Sequence, residues 1–362
     1  MNDPLDRSDL RRRVQTAVDA EIAGQRGVLG VVGPDLGILV DAVARLLTGG
    51  KRLRAAFLYW GYRAAGQPDS EALVRLATAM EFFQAAALLH DDVMDRSDTR
   101  RGMPSAHRAI AGHHAEVGWI GNSDRFGEAA AILAGDLCLQ WTDELYSTSG
   151  LPAEHLGRAR RTFDMMRTQL MGGQYLDILE SARGWDGLDT AARIASARNV
   201  IRYKSAKYTI EHPLLIGATA GGVPATAIDA LSRYGLALGE AFQLRDDLLG
   251  VFGDPAQTGK PAGDDLREGK RTVLIALALG VADDEQRALV DKLLGQPDLD
   301  AHGVEELRGV LHRTGAVDGV EEKIAARVNE AAAALDGVAE LLDPEATEVL
   351  HSLIASSTAR ES

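Results

Sequence analysis

Residues Ser70–Asp95 read SEALVRLATAMEFFQAAALLHDDVMD, and the reading of this stretch decides the architecture. Ala, Leu, Met and Glu favour helix, and β-branched residues are few. Apolar residues fall on more than one face, which places such a helix in the middle of a bundle rather than on its surface. The stretch ends in acids. Asp91 and Asp95 are four residues apart, so they project from one face, roughly 6 Å apart along the axis. Asp92 lies between them. Two carboxylates at that spacing repel unless a cation sits between them. They also stand at the negative end of the helix dipole, where acids are unfavourable.

Working outward, nearly every other segment has helical period. Helices are expected over Ser8–Ala23, Asp35–Leu47, Lys51–Ala65, Arg125–Thr148, Ala153–Ala182, Asp189–Glu211 and Ala225–Phe252. Further ones follow at Val273–Leu279, Asp283–Leu294, Val304–Thr314, Val317–Leu341 and Pro344–Ser356. No strand alternation is visible, and Arg96–Pro104 and Gly112–Asp124 read as loops. The fold class is all-α: one large bundle of about a dozen helices around a central apolar cavity. The domain expectation is a single one over 1–362, with the first ~25 residues at its periphery.

The composition excludes several functions. The 362 residues carry 39 Lys and Arg against 53 Asp and Glu, a formal charge of −14. That argues against a general nucleic-acid binder and a polybasic membrane anchor. Cys138, the one cysteine, rules out an intramolecular disulfide and a Cys-based zinc cluster. The charged N-terminus lacks a signal peptide's apolar run, and no stretch approaches ~20 uncharged apolar residues. A soluble, cytoplasmic protein is expected.

A second acid pair, Asp246-Asp247, again lies late in an apolar helix, 155 residues after the first. If the two helices are parallel neighbours, their acids face one another across a cavity mouth. Oxygen-only ligands of that kind suit Mg²⁺, which keeps several waters and commonly binds through phosphate as well. Gly49-Gly50-Lys51-Arg52-Leu53-Arg54 opens a helix, where backbone and dipole favour an anion. Lys51 and Arg54 share a face there. Arg100-Arg101-Gly102 follows the first acidic motif, and Lys204, Lys207, Lys260 and Lys270-Arg271 come later. Separate basic sets beside acid clusters point to a polyanionic substrate with two anionic groups. His113-His114 reads as a surface pair and His90 as a packing or hydrogen-bonding residue.

These stretches together resemble the trans-isoprenyl diphosphate synthase (polyprenyl synthetase) family. The resemblance rests on GGKRLR (Gly49–Arg54), FFQAAALLHDDVMD (Phe82–Asp95), RRG (Arg100–Gly102), Gly135-Asp136 and GGQ (Gly172–Gln174). It also rests on KSAKYT (Lys204–Thr209), QLRDDLLGVFGD (Gln243–Asp254) and TGKPAGDDLREGKRT (Thr258–Thr272). The order and spacing of the motifs, over about residues 45–340, carry more weight than any single one.

The resemblance implies the isoprenoid synthase fold and a Mg²⁺-dependent, head-to-tail (1′-4) condensation of isopentenyl diphosphate with an allylic diphosphate. Three Mg²⁺ ions per site are expected. It assigns Asp91, Asp95 and Asp246 to the metal, with Asp92 and Asp247 supporting them. Arg100, Lys204, Ser205, Gln243, Lys260 and Lys270 fall on the allylic side. Lys51, Arg54, Gln84 and Arg101 fall to isopentenyl diphosphate. It also implies a homodimer. Two departures stand out: Gly250, where many members have a third Asp, and Ser205, where Thr is frequent. Asp254 is a candidate to replace the missing acid through water.

Small Ala86 and Ala87, about one turn below Asp91, leave room beyond a C15 tail, and Phe83 one turn deeper forms a floor if it points inward. A C20 geranylgeranyl diphosphate product follows, with C25 or longer and C15 as alternatives. A class I terpene cyclase and a non-catalytic partner subunit are the competing functions. The first has no need for Lys51, Arg54 and Arg101, and the second none for an intact Asp91, Asp95 and Asp246.

Overall fold

The computed structural model describes residues 4–253, 263–296 and 298–358. The helices are α1 (Leu10–Val32), α2 (Gly37–Leu47), α3 (Leu53–Arg63), α4 (Glu71–Met94), α5 (Ala106–Glu116), α6 (Ser123–Ser147), α7 (Ala153–Arg183) and α8 (Thr190–Val200). A π-helical segment, Ile201–Glu211, leads into α9 (His212–Gly221) and α10 (Ala225–Phe252). One helical turn, Asp264–Arg267, precedes α11 (Val273–Val281), α12 (Asp284–Leu293), α13 (Ala301–Arg313), α14 (Ala316–Asp336) and α15 (Pro344–Thr358). The all-α expectation holds.

Helix α4 begins where Ser70 Oγ accepts the Leu73 N–H at 3.1 Å, an N-cap that satisfies one of the free donors of the first turn. It then runs through the bundle with Leu73, Leu76, Ala79, Met80, Phe82, Phe83 and Ala86 buried. By length and composition α4 is apolar enough to span a membrane, but most of that stretch is buried inside the protein. Helices α3, α6 and α1 pack around it. The first helix is seated on the core through Leu10, Val14, Val18 and Ile22 and continues to Val32. A second cluster gathers Leu266, Val273, Leu274, Leu307 and Val310. Helix α10 passes through both, with Tyr234 and Leu238 in the first cluster and Leu244 and Leu248 in the second. Its length lets one rigid element hold Asp246-Asp247 against α4.

Three local expectations are corrected. Thr99–Arg100 and Met103–Pro104 form a two-residue antiparallel ladder, turned by Arg101 at φ +54° and Gly102 at φ +73°. Positive φ at both central residues is the hairpin geometry that matches strand twist, and the ladder is too short for any alternation to show in sequence. The Gly112–Asp124 loop is shorter than expected, because α5 extends to Glu116. His114 is buried in it against Trp119 and Phe126, so the His pair is only half at the surface. The helix expected over Val317–Leu341 stops at Asp336.

Candidate active site

The C-terminal ends of α4 and α10 face a common cavity. Asp91 from one and Asp246 and Asp247 from the other line a single cavity of about 900 Å³. Arg100, Lys204, Gln243 and Lys270 line it too. Gln84, Lys51, Arg101 and Ser205 connect it to a second cavity of about 470 Å³ over the Gly49-Gly50 loop. Thus residues separated by most of the chain surround two joined chambers, the larger lined by acids and bases together and the smaller chiefly by bases. Lys260 and Asp254 lie outside the described residues.

In and around the larger chamber each carboxylate has a distinct environment, Asp92 and Asp95 standing beside the lining and not in it. Asp91 Oδ1 accepts from Gln174 Nε2 at 2.8 Å and from Lys204 Nζ at 3.2 Å. Arg100 stands 3.5 Å from its other oxygen. Burial alone would raise the Asp91 carboxyl, but Lys204 and Arg100 more than offset this and hold it below the usual range. Asp92 is turned inward, where Arg100 Nε donates to its Oδ1 at 2.9 Å. Burial raises it despite that partner. Burial and the charge of Asp91 push Asp95 upward. Asp247, held by Gln243 Nε2 at 2.8 Å, is pushed up to about 8 by burial, with Asp265 and Asp246 adding repulsion. Burial is the first cause of all three raised carboxyls, with neighbouring acids adding to it, and a divalent cation would favour their charged forms.

Among the described residues no three acids or His side chains stand close enough to form a ready-made metal cage. The acids instead face one another across the cavity, and all offer oxygen. This arrangement fits Mg²⁺, which is typically held by one or two carboxylates plus substrate phosphate and retained water.

The smaller chamber is lined chiefly by bases: Lys51, Arg52, Arg54 and Arg101. Arg54 donates to Thr209 Oγ1 at 2.8 Å and lies 4.3 Å over the Tyr208 ring, which fixes its guanidinium plane. Arg101 Nη1 donates to the Leu46 carbonyl at 3.1 Å. Burial, then Arg52 and Arg100, push the Arg101 guanidinium below its ordinary value, so an anion there gains attraction. Of the hairpin's two arginines, Arg100 lines the larger chamber and Arg101, at the turn, lines both. Arg52, at φ +55°, is a buried part of the smaller chamber's lining and pairs there with buried Glu81 at 3.0 Å.

Several partners were not singled out in the sequence. Gln174 and Asp177 share one face of α7, and Asp177 accepts a hydrogen bond from Lys204 Nζ. The signals are the GGQ motif, to which the resemblance assigns no residue role, and the i, i+3 spacing inside the GGQYLD stretch. Gly173 lets this helix approach: a Cβ there would lie 2.4 Å from Lys204 N. Lys270 Nζ is 2.8 Å from both Asp265 and Glu268. Burial opposes its charge, yet these two acids keep it well above the ordinary lysine value. Ser205 Oγ donates to Gln243, which extends the chain to Asp247. Tyr208 lines both chambers.

The chamber's apolar wall is Leu88, Ala197, Val200, Ile201 and Leu249. Ala86 is wholly buried and Ala87 partly so, and neither is on that wall. Phe83 is buried behind it, edge-on to Tyr208 with ring centres 6.3 Å apart. His90 leaves the chamber for α6, where its Nε2 is 3.1 Å from the Ile132 carbonyl.

A helical bundle with these joined chambers is a prenyltransferase architecture, and the comparisons agree. The polyprenyl synthetase family profile matches residues 37–311, and the chain belongs to that family. Geranylfarnesyl diphosphate synthase of Aeropyrum pernix is 33% identical over 310 residues, covering 84% of this chain and 89% of that one. Geranylgeranyl diphosphate synthase of Methanosarcina mazei is 30% identical, covering 86% and 85%. A crystal structure of geranylgeranyl pyrophosphate synthase from Corynebacterium glutamicum, complexed with isoprenyl diphosphate and magnesium, superposes with a TM-score of 0.91. It is 39% identical and covers 97% of this chain and 99% of that one. The chain is a prenyl diphosphate synthase.

Proposed function

We propose that this enzyme condenses isopentenyl diphosphate with an allylic diphosphate to an all-trans C20 product, releasing pyrophosphate. The observation that carries the reading is the pair of joined chambers, the larger lined by acids and bases together and the smaller chiefly by bases, sharing Lys51, Gln84, Arg101, Ser205 and Gln243.

Asp91, Asp95 and Asp246 would hold Mg²⁺, three ions per site, with Asp92 and Asp247 behind them. Bound Mg²⁺ supplies positive charge to the leaving pyrophosphate. Arg100, Lys204 and Lys270 hold the allylic diphosphate and neutralise the charge that grows as its C–O bond breaks. Both electrons of that bond leave with pyrophosphate. Lys51, Arg54 and Arg101 hold isopentenyl diphosphate so that its double bond meets the allylic cation. A new C–C bond forms, and the proton lost from the isopentenyl unit passes to pyrophosphate. Leu88, Val200, Ile201 and Leu249 exclude water, which would otherwise quench the cation.

A C25 product is the second reading. Ala86 and Ala87, expected to face the tail, do not line the chamber and so do not decide the length; the Aeropyrum pernix relative is named for a geranylfarnesyl product. The functional unit is proposed to be one domain, since α10 carries both apolar clusters, and a homodimer, since Ile120, Ile132 and Leu133 expose apolar side chains along α6 and its approach. Cytoplasmic action accords with a lone, buried Cys138.

The test is incubation with Mg²⁺, labelled isopentenyl diphosphate and C5, C10 or C15 allylic primers, followed by sizing of the products. Label in a C20 chain is the expected result. Absence of isopentenyl incorporation from every primer overturns the reading.

A further inference from the structure

The loop over the smaller chamber has a shape it does not hold by itself. Gly49, Gly50 and Arg52 lie at φ +69°, +96° and +55°. Left-handed backbone is free of strain only at glycine, so Arg52 in particular needs outside support. This backbone sets where Lys51 and Arg54 stand in the chamber. Two arginines brace it at the end of α2, where Arg101 Nη1 donates to the Leu46 carbonyl at 3.1 Å and Arg52 Nη2 donates to the Leu47 carbonyl. Carbonyls of a last helical turn lack partners within the helix, and arginine side chains satisfy them. Glu81 of α4 closes the other side: it accepts from Arg52 Nη1 at 3.0 Å and from the Ala55 N–H at 3.3 Å.

The remaining brace comes from α1. Gln15 Oε1 accepts from the Gly49 N–H at 3.3 Å and from Arg52 Nη2 at 2.6 Å. Its Nε2 donates to Asp19 Oδ1, one turn along the helix, at 2.8 Å. The carboxylate can only accept, so the amide is oriented with its oxygen toward the loop. The backbone that carries Gln15 is anchored by Val14 and Val18 in the core. Gln15 lines neither chamber. It also lies outside residues 37–311, the part of the chain that matches the family profile.

We propose that Gln15, resting on the reading of the smaller chamber as the isopentenyl diphosphate site, is a positioning residue for that substrate. From the first helix it holds Gly49 and Arg52 in the left-handed geometry that sets Lys51 and Arg54 around the diphosphate. The N-terminal helix, expected at the periphery, thereby takes part in shaping one of the two substrate sites. The cations of the larger chamber are held by other elements: Arg100 by Asp92, Lys204 by Asp177 and Lys270 by Asp265. Loss of Gln15 therefore acts on one substrate and not on both.

The experiment measures, in the full-length enzyme with Mg²⁺, the KM for isopentenyl diphosphate and the KM for the allylic primer separately, each with the other substrate saturating. Thermal melting checks that each variant is folded. Gln15→Met keeps the length and helix propensity of the side chain but removes its acceptor oxygen. It is expected to raise the isopentenyl KM about tenfold, the scale for one lost hydrogen bond to a charged partner. The allylic KM and kcat should change less than about twofold, the split that marks binding of one substrate. Gln15→Glu combined with Asp19→Asn returns an acceptor toward the loop and a donor toward that acceptor. This double variant should bring the isopentenyl KM back to within about threefold of wild type. Equal rises in both KM values, or no recovery in the double variant, indicate a general structural role and overturn the proposal. So does an unchanged isopentenyl KM in Gln15→Met when Lys51→Ala raises it. If Lys51→Ala leaves that KM unchanged as well, the reading of the smaller chamber falls, and the role of Gln15 with it.

Discussion

Lys204 Nζ stands 3.2 Å from Asp91 Oδ1, joining residues 113 apart in the chain, and the same ammonium also holds Asp177 of α7. One cation thus ties the π-helical segment to both α4 and α7. Such departures from regular helix concentrate at functional positions, and here the segment places Lys204, Ser205, Tyr208 and Thr209 along the two chambers. Lys204→Ala is expected to cut turnover about 10²–10³-fold, the scale for losing one preorganised charge aimed at a leaving group. Asp177→Ala leaves Lys204 its contact with Asp91 and should cost less. Single-turnover rates with saturating substrates separate the two; equal losses would count against a direct role for the lysine.

Metal binding should depend on pH in a definite direction. Asp95 and Asp247 both have carboxyls raised by burial and by neighbouring acids, Asp247 to about 8. Without metal they hold protons around neutral pH, and a cation can bind only as these leave. Raised folded-state values favour the folded protein at low pH, and that contribution is lost as pH rises through them. The rise in melting temperature caused by Mg²⁺ should therefore be larger at pH 8 than at pH 6. Differential scanning fluorimetry at the two values, with and without Mg²⁺, checks this.

Gly172 and Gly173 are adjacent in α7 but predict opposite effects. A Cβ at 172 would meet nothing within 4 Å, whereas one at 173 would lie 2.3 Å from the Tyr203 carbonyl carbon. Gly172→Ala should stabilise by up to about 1 kcal/mol through helix propensity. Gly173→Ala should destabilise by about 1–3 kcal/mol through overpacking and lower turnover by moving Lys204. Urea titration with parallel assays reads both.

The neighbours Lys51 and Arg52 divide function from stability. Arg52 is buried against Glu81, and removing one member of a buried ion pair costs about 3–5 kcal/mol. Arg52→Ala should lower the melting temperature steeply. Exposed Lys51 changed to Ala should leave it nearly unchanged and raise KM for isopentenyl diphosphate. A normal KM would remove Lys51 from the proposed binding set.

Phe83→Ala opens space behind Tyr208 at a cost of about 3–5 kcal/mol. The product distribution should shift beyond C20. Unchanged product lengths in a folded variant would show that Phe83 is not the floor.

The amino-acid sequence alone determined the all-α class, since helical period and propensity act over neighbouring residues. It also revealed the charged clusters around Asp91, Asp246, Lys51 and Arg100, because their residue types and i, i+3 or i, i+4 spacings are local facts. Only the tertiary structure decided which of them share a chamber. The contacts of Gln174 with Asp91, of Asp177 with Lys204, and of Gln15 with Gly49 join distant segments, and no local pattern encodes such meetings. The seat of Arg101 at the hairpin turn and the burial of Arg52 likewise depend on positive backbone φ values imposed by packing and turn closure. Residue chemistry sets what each side chain can do, and the close approach of helices determines what it meets.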